Sequence, residues 1–410
     1  MSFFYTENIT ATNAAKRDQK RIPVETLQEM GCKACSLDSK KGLSNAKMKP
    51  HGDKKAVFYI LGASPTVIDD QNGEHFSGSI GDYLDEKLPT YIENRARYDY
   101  VARCTSTIGE ASALEIACCH NRVNEDIEKT KPYAIIGFGA APLYRFCGER
   151  GIQLWRGKRF PVRIGKHTCW YYPVSDPSWL VANRHINNDG YVFDSTGDKT
   201  FVLDLEKAVS DYKREHGKLP EVDDDLKVIY KGVQILEDYS ENGYKRLCKW
   251  LKYMEKQEQV GLDYETQLLR PYLEGAQLLT CAISNGEKTY SFPLNHPKAW
   301  TKKLYKKVRR RFKKFLINSN VKIAHNLSME LEWSGHQFGV ETIEHKTTQW
   351  TDTMAQAYIL DQKKRKKGKT LLDLDSIVFM KFGIWIKSLY SLDKKNMIDN
   401  KVAIPAPRGP

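Results

Sequence analysis

The sequence predicts an α/β protein with two domains. Its 410 residues exceed the usual size of one domain, and 41% of them are hydrophobic, which is enough for two cores. Apolar strand-like runs at residues 56–61 and 134–139 alternate with helix-like stretches, a pattern typical of a largely parallel sheet. In the second half, strands are predicted at residues 260–264, 278–284 and 289–293, with helices after them.

Charge and polarity indicate where the domains begin and end. Residues 1–22 are mostly polar and are predicted to be an N-terminal arm, which leaves residues 23–205 for the first domain. Residues 206–225 are rich in charge, with an acidic run at 223–225, and are predicted to form a linking helix and hinge. The second domain is expected to span residues 226–410.

The whole chain is basic. It has 64 Lys and Arg residues against 51 Asp and Glu residues, a net charge of +13. This surplus favours a polyanionic partner, with nucleic acid ahead of an anionic membrane surface. No apolar run approaches the roughly 20 residues that cross a membrane, and the N-terminus lacks a basic-then-apolar signal. We therefore expect a soluble, cytoplasmic protein with no membrane partner.

The cysteines of the first half indicate a metal site. Nine cysteines in a chain of this length are not a disulfide scaffold, and clustered thiols in a reducing compartment suggest metal. Cys32 and Cys35 have the close spacing of zinc and iron–sulfur sites. Cys104, Cys118 and Cys119 follow apolar stretches, so the alternative is that they are buried apolar thiols.

Several motifs follow one another between residues 28 and 185. They are the Cys32–Cys35 pair, a Gly/Pro turn at 62–65 followed by Asp69 and Asp70, the loop Phe76-Ser77-Gly78-Ser79-Ile80-Gly81, the later cysteines, and Asp176-Pro177-Ser178-Trp179-Leu180. In this order the segment resembles the iron–sulfur uracil-DNA glycosylases of family 4. The resemblance implies a parallel-sheet domain with a 4Fe–4S cluster. The ligands matched by position are Cys32, Cys35, Cys104 and Cys119, with Cys118 as a possible substitute.

The catalytic positions of that family have changed. Ala63 stands at the position of the water-activating acid, Tyr100 at that of the uracil-binding amide, and Asp176 at that of the closing histidine. The base-stacking aromatic remains as Phe76. Base release needs a donor at the uracil oxygen and a stabiliser for the sugar cation, and an anionic Asp176 would repel the departing base. We predict a fold without glycosylase chemistry, in which the cluster is structural and the loops help to hold DNA.

A second constellation is acidic. Asp263 and Glu265 are separated by one residue on a predicted strand, so their side chains point to the same side, where they can hold a divalent metal beside a phosphate. The pieces that follow are residues 321–333 with His325, Asn326 and Glu330, then Asp352-Thr353-Met354, Leu360-Asp361, and residues 371–374 before Phe382-Gly383-Ile384. This ordered set resembles the DEDD 3′–5′ exonuclease domain of family A DNA polymerases, in particular the phage type.

The resemblance implies an RNase H-like domain that hydrolyses phosphodiesters with two Mg²⁺ or Mn²⁺ ions. Asp263 would bridge both ions, Glu265 would bind the ion that carries the nucleophile, and Glu330 stands where the family has Asp. Asn326 would help to fix the scissile end. Asp352 is expected to be a helix cap or local hydrogen-bond anchor rather than a metal ligand.

The last acid of the family has no clear counterpart. It lies in a Tyr-x-x-x-Asp motif well beyond the Phe-Gly-Ile element, but the sequence given stops at Pro410, and only Asp393 and Asp399 remain there. We therefore expect an exonuclease domain truncated before this motif. The carboxylate then comes from a downstream segment or a partner chain, or the exonuclease is weakened or inactive.

Residues 302–316 predict a basic amphipathic helix. One stripe is formed by Leu304, Val308, Phe312 and Phe315, and the rest of the surface carries nine positive charges. Charges of one sign repel each other, so a nucleic-acid backbone explains them better than a merely solvated face. The side chains expected to bind substrate are Lys306, Arg309, Arg310 and Lys313. The basic loop 363–369 is expected to contact DNA or a partner subunit.

Together these features predict part of a phage-type DNA replication enzyme, located in a bacterial host cell if the chain is of phage origin. A 3′–5′ proofreading exonuclease module would act on single-stranded or primer-template DNA with a polymerase module, in cis or in trans. One alternative is a non-catalytic DNA-binding accessory subunit of a polymerase. Another is a base-repair glycosylase with altered specificity.

Overall fold

The computed structural model describes residues 22–35, 37, 43–106, 110–184, 196–222, 232–360 and 371–386. The chain divides into two compact units, residues 1–222 with 378–410, and residues 223–377. Each unit has a six-stranded sheet, and the expected α/β class is confirmed. The arm residues 1–21, the basic loop 363–369, Asp393 and Asp399 lie outside the described residues.

The first unit has a sheet with four parallel central strands. Its strands are β1 (His51–Gly52), β2 (Phe58–Gly62), β3 (Ala96–Tyr100), β4 (Ala134–Phe138), β5 (Phe160–Ile164) and β6 (His167–Val174). Their order is β1-β3-β2-β4-β6-β5, with β1 and β5 antiparallel at the edges. Every residue of β2 and β4 is buried, as expected for parallel strands covered on both faces.

The helices of the first unit surround this sheet. They are Val24–Met30, a 3₁₀ helix at Gly31–Ala34, Val67–Asn72, Ser79–Lys87, Thr90–Glu93, Ala113–Thr130, Ala140–Cys147, Ile152–Trp155, Pro177–Ala182 and Thr196–Arg214. Two of them begin with capping boxes, in which Thr66 pairs with Asp69 and Ser112 with Glu115. Each box satisfies backbone N–H groups that the first helical turn leaves unpaired.

The helix Thr196–Arg214 includes the beginning of the predicted linker. Phe201, Leu205, Ala208 and Val209 are buried in the same core as β2 and β4. This apolar stripe continues past residue 206, where the charged linker was expected to begin. The first nine residues of that linker therefore belong to a helix packed on the first unit.

The sheet of the second unit is mixed. Its strands are β7 (Val233–Ile235), β8 (Gln259–Thr266), β9 (Leu278–Ser284), β10 (Thr289–Pro293), β11 (Val321–Ala324) and β12 (Gln349–Asp352). Strands β8, β9 and β10 form an antiparallel meander, β11 and β12 extend the sheet in parallel from β8, and β7 pairs in parallel with β10. The three strands predicted in this region are all present.

The helices of the second unit are Glu241–Met254, Lys302–Ile317, Ser328–Phe338, Glu341–Glu344 and Thr353–Leu360, and a further helix spans Leu374–Phe382. The predicted apolar stripe of Lys302–Ile317 is buried. Its Phe312 ring meets the Tyr264 ring of β8 edge to face, with the centroids 6.3 Å apart. This helix therefore covers the face of β8 that carries Tyr264.

Within the described part of the chain, the helices are all too short or too polar to cross a membrane.

Candidate functional site

Asp263 and Glu265 lie on one face of β8, where they are exposed. Val260, Leu262 and Tyr264 alternate with them and are buried on the other face, because successive side chains of a strand point in opposite directions. Partial burial raises the pKa of both carboxyl groups, and the Asp263 charge raises that of Glu265 further. Two carboxylates with open approach to solvent are thus held side by side.

Glu330 adds a third carboxylate to this group. It lies in the first turn of the helix Ser328–Phe338 and is buried, and its Oε2 atom has no hydrogen-bond partner in the described structure. Burial raises the pKa of Glu330 to about 7, and the charges of Asp263 and Asp352 contribute to the rise. A nearby cation would stabilise the charged forms of these acids, because it offsets their mutual repulsion.

Asp352 anchors the chain that leads to Glu330. Its carboxylate accepts hydrogen bonds from the backbone N–H groups of Asn326 (3.0 Å), Leu327 (3.3 Å) and Met354 (2.8 Å). Asn326 has a left-handed backbone with φ of 61°, a conformation that asparagine tolerates better than most residues. Asp352 is therefore a local hydrogen-bond anchor, and the Asn326 side chain is exposed.

His325 had no settled role in the sequence. Its Nδ1 atom lies 3.0 Å from the Thr353 hydroxyl, and its Nε2 atom is buried without a hydrogen-bond partner among the described residues. The histidine is thus tied to the helix that follows β12, next to the Asp352 anchor.

The four basic residues predicted to bind substrate lie elsewhere. They are carried by the helix Lys302–Ile317, which covers the face of β8 opposite Asp263 and Glu265. Arg309 donates from Nε and Nη2 to the Gln337 carbonyl, at 2.8 and 2.6 Å, and Lys313 pairs with Glu341. The structure therefore does not bring Lys306, Arg309, Arg310 and Lys313 to the carboxylates, because the apolar stripe that docks this helix fixes its cations on the far side.

In the first unit, Tyr100 fills the position next to Phe76. The Tyr100 hydroxyl donates to Asp69 Oδ2 (3.0 Å) and accepts from the Phe76 N–H (2.8 Å). The rings of Tyr100 and Phe76 are 4.9 Å apart, and His75 stacks on Tyr100 at 5.1 Å. Phe76 is only 9% exposed. Tyr100 thus covers the aromatic face that was expected to receive a base, so Phe76 does not present a stacking surface here.

Two further glycosylase positions have structural contacts. Asp176 caps the helix Pro177–Ala182 by accepting from the Ser178 N–H (2.9 Å) and hydroxyl (2.7 Å), and burial raises its pKa. A Cβ on Gly139 would lie 2.8 Å from Asp176 Oδ2, so the glycine permits this close approach. Ala63 supplies only its carbonyl, which accepts from the Ala102 N–H at 3.1 Å.

Charge interactions connect several thiols of the first unit. Burial raises the pKa of Cys104, and the charges of Cys35 and Cys32 raise it further. A hydrogen bond with Cys35 is the main cause of the raised pKa of Cys118. Burial raises the pKa of Cys119 to about 11, with contributions from Cys35, Cys104 and Cys32. These interactions connect the cysteines that the sequence had singled out, but the described residues do not arrange them as a metal-binding cluster.

Arg145 is a residue near these thiols that sequence reasoning missed. It is 2% exposed, its Nε and Nη1 atoms have no hydrogen-bond partner among the described residues, and Nη2 donates to the His120 carbonyl (3.1 Å) and Asn124 Oδ1 (2.6 Å). Burial lowers its pKa to about 10, while the charges of Asp99 and Cys119 oppose this. A buried cation with free donors beside Cys119 fits an anionic group there. Nothing in the sequence around residue 145 signals it.

As the structure stands, no group of three or more His, Cys, Asp and Glu side chains within the described ranges is arranged to hold a metal ion.

The raised pKa of Glu330 predicts a pH effect on metal-free protein. The folded carboxyl keeps its proton up to about pH 7, against an ordinary pKa of 4.5, so the folded state binds more protons between these values. The unfolding free energy of the second unit should therefore fall as pH rises from about 4.5 to 7, and Glu330→Gln should flatten this slope. The measurement is denaturant titration in EDTA at several pH values in this range, with the exposed Glu287→Gln variant as the control. The control should keep the wild-type dependence of unfolding free energy on pH. The prediction is refuted if Glu330→Gln keeps it as well.

Two family models match the chain. A 3′–5′ exonuclease model matches residues 240–408, and a uracil DNA glycosylase superfamily model matches residues 49–193. No curated protein matches the chain.

Several solved structures are similar at low identity. They include the Aedes aegypti Nibbler EXO domain (13% identity, TM-score 0.29, 46% of this chain and 80% of that one). The Trypanosoma brucei RNase D complex with RNA U12 has 12% identity, a TM-score of 0.28, and coverage of 39% of this chain and 50% of that one. Escherichia coli RNase D, an exoribonuclease involved in structured RNA processing, has 16% identity and a TM-score of 0.21, with coverage of 41% of this chain and 45% of that one. The chain thus spans about half of either RNase D structure, and similarity at this level establishes no function.

The two model matches and the two sheets together show an N-terminal uracil-DNA-glycosylase-like domain and a C-terminal RNase H-like 3′–5′ exonuclease domain.

Proposed function

We propose that this chain is a metal-dependent 3′–5′ DNA exonuclease module of DNA replication, which works with a polymerase module. The observation that carries the proposal is the effect of the Asp263 charge, which raises the pKa of both Glu265 and Glu330. All three have raised pKa values, and one buried oxygen of Glu330 is unsatisfied. Such a site is stabilised by a cation and suits a phosphodiester beside it.

Asp263 and Glu265 would hold Mg²⁺ or Mn²⁺, and Glu330 would act directly or through a bound water because its side chain is one methylene longer than Asp. When bound, two such ions supply a hydroxide nucleophile at neutral pH and stabilise the leaving 3′ oxygen. Strand β8 keeps both carboxylates at a fixed spacing, so little free energy is needed to order the site when an ion binds. Asn326, with its backbone held by Asp352, positions the scissile end.

The glycosylase-like domain is proposed to hold nucleic acid without releasing a base. Tyr100 occupies the space over Phe76, and a Cβ on Gly62 would lie 2.8 Å from both rings, so the packing here leaves no room for a base. Ala63 has no acid to activate water. Asp176 uses its carboxylate to cap a helix, where it offers no donor to a departing base.

A 4Fe–4S cluster is proposed for the first unit, held by Cys32, Cys35 and Cys104 with Cys119 or Cys118 as the fourth ligand. Four cysteine thiolates are the usual ligands of such a cluster, which would join the N-terminal segment to the helix Ala113–Thr130. The buried Arg145 guanidinium supports an anionic occupant beside Cys119.

The first prediction concerns nuclease activity. With Mg²⁺ or Mn²⁺ the protein should shorten 5′-labelled single-stranded DNA stepwise and release a 3′ label at once. Asp263→Ala with Glu265→Ala should lower the rate by about 100-fold or more, because the side chains that would hold the metal ions are lost. Glu287→Ala, in the turn between β9 and β10, is the control.

Matched RNA strands show which nucleic acid is preferred. Absence of digestion by folded protein in either metal would favour the non-catalytic accessory subunit. The same result is expected if the last carboxylate belongs to another segment or chain, and adding the polymerase module separates these two explanations.

The second prediction concerns iron. Protein purified without oxygen should contain about four iron and four sulfide per chain, and Cys104→Ser should lose them. Cys248→Ser, in the second unit, should not. Comparing Cys118→Ser with Cys119→Ser identifies the fourth ligand. The cluster is ruled out if the wild-type protein takes up no iron during anaerobic reconstitution. Its proposed ligand set is wrong if Cys104→Ser keeps the full iron content.

The third prediction concerns base release. The wild-type protein should liberate no uracil from single-stranded or double-stranded DNA, and Tyr100→Asn alone should not either, because Ala63 and Asp176 remain. Combining Tyr100→Asn with Ala63→Asp and Asp176→His should restore measurable release. Free uracil from the wild-type protein would support the base-repair alternative instead.

A further inference from the structure

Six of the nine cations of the basic helix Lys302–Ile317 fall into two kinds. Some are neutralised within the second unit: the pairs are Lys307–Glu241 (2.6 Å), Arg311–Glu255 (2.7 Å) and Lys313–Glu341. These cations lie beside neighbouring helices and are partly buried. Their ion pairs attach the helix to its neighbours, so no ligand is needed to explain these three cations.

The other kind forms a row along the exposed side of the helix. Lys306, Arg310 and Lys314 are exposed, and none forms an ion pair with an acid in the described structure. They are spaced by four residues, which brings each about 6 Å from the next along the helix axis. Like charges at this spacing repel and destabilise the helix. We call these three residues the back-face row.

A cavity lies at the end of the row. Its volume is about 430 Å³, and it is lined by Glu255, Arg310, Lys313, Lys314, Ile317 and Asn318. The one acid in this lining, Glu255, accepts both hydrogen bonds of Arg311, at 2.7 and 3.0 Å, so its charge is already balanced. Two members of the row thus face a concave, positively charged site that can receive a phosphate.

The row and the carboxylates lie on opposite faces of β8. Phe312 of the helix contacts Tyr264, whose neighbours Asp263 and Glu265 point away from it. A phosphate in contact with Lys306, Arg310 and Lys314 therefore cannot belong to the nucleotide at the carboxylates. It must belong to a more distant part of the same strand or of its complement.

We propose that the back-face row binds the sugar–phosphate backbone of nucleic acid at a distance from the 3′ end. The regular spacing of the three cations, the cavity that continues the row and the net charge of +13 all favour a polyanion with repeated charges. The consequence is that long strands bind by two regions of the second unit and short strands by one. Only the assignment of the carboxylates to the 3′ end rests on the proposed exonuclease function.

The test is a binding measurement in EDTA, where no strand is digested. Lys306→Gln, Arg310→Gln and Lys314→Gln are combined in one variant of the full chain. The matched control keeps the charge at every position, with Lys306→Arg, Arg310→Lys and Lys314→Arg. Fluorescence anisotropy is measured with single-stranded DNA of about 4 and about 40 nucleotides, at several salt concentrations.

The Gln variant should bind the long strand at least ten-fold more weakly at low salt. Its slope of log affinity against log salt should be shallower by about 2, as three lost contacts imply at about 0.7 per phosphate. The charge-keeping variant should retain the wild-type slope. Affinity for the short strand should be the same in all three proteins, since that strand is too short to reach the row.

An unchanged slope in the Gln variant would overturn the proposal and leave an acidic protein partner as the occupant of the row. Equal losses for the short and long strands would also overturn it, because the row would then belong to the site that holds the 3′ end. Asp263→Ala with Glu265→Ala should keep the long-strand slope. This variant tests the two proposals separately. If it no longer digests DNA but keeps the salt dependence of long-strand binding, the back-face row still binds nucleic acid.

Discussion

The arrangement of the second unit depends on Tyr264, a buried residue of β8 that contacts two helices. Its ring packs on Phe312, and its hydroxyl lies 2.9 Å from the Ser334 hydroxyl of the helix that carries Glu330. Burying this side chain forces Asp263 and Glu265 to the opposite face, because the period of a strand is two. The contacts of one side chain thus help to place the carboxylates, the basic helix and the helix of Glu330.

This constraint explains why acids and cations are kept apart in the second unit. Carboxylates with raised pKa values need a cation to stabilise their charged forms, and nearby lysines would satisfy them and compete with a metal ion. The basic helix instead turns its unpaired cations away from β8. The separation lets one face bind a cation and the other bind a polyanion, as the two proposals for this unit require.

A single side chain also organises part of the first unit. The Tyr100 hydroxyl joins Asp69 to the Phe76 backbone, and its ring is covered by His75. These contacts hold the loop after Asp69 closed over Phe76. A shorter side chain at position 100 would lose both hydrogen bonds and leave the Phe76 ring less covered.

The sequence by itself determined the α/β class, the strands β8 to β10 and the buried stripe of the basic helix. These depend on local alternation, helical spacing and short motifs, which need no knowledge of distant contacts. Only the tertiary structure decided that the predicted substrate-binding cations lie across the sheet from Asp263, and that Tyr100 covers Phe76. It also decided that the charged segment after residue 206 continues a packed helix, and that Arg145 is buried beside Cys119. Such facts depend on which faces meet, and residues far apart in the chain settle that by packing.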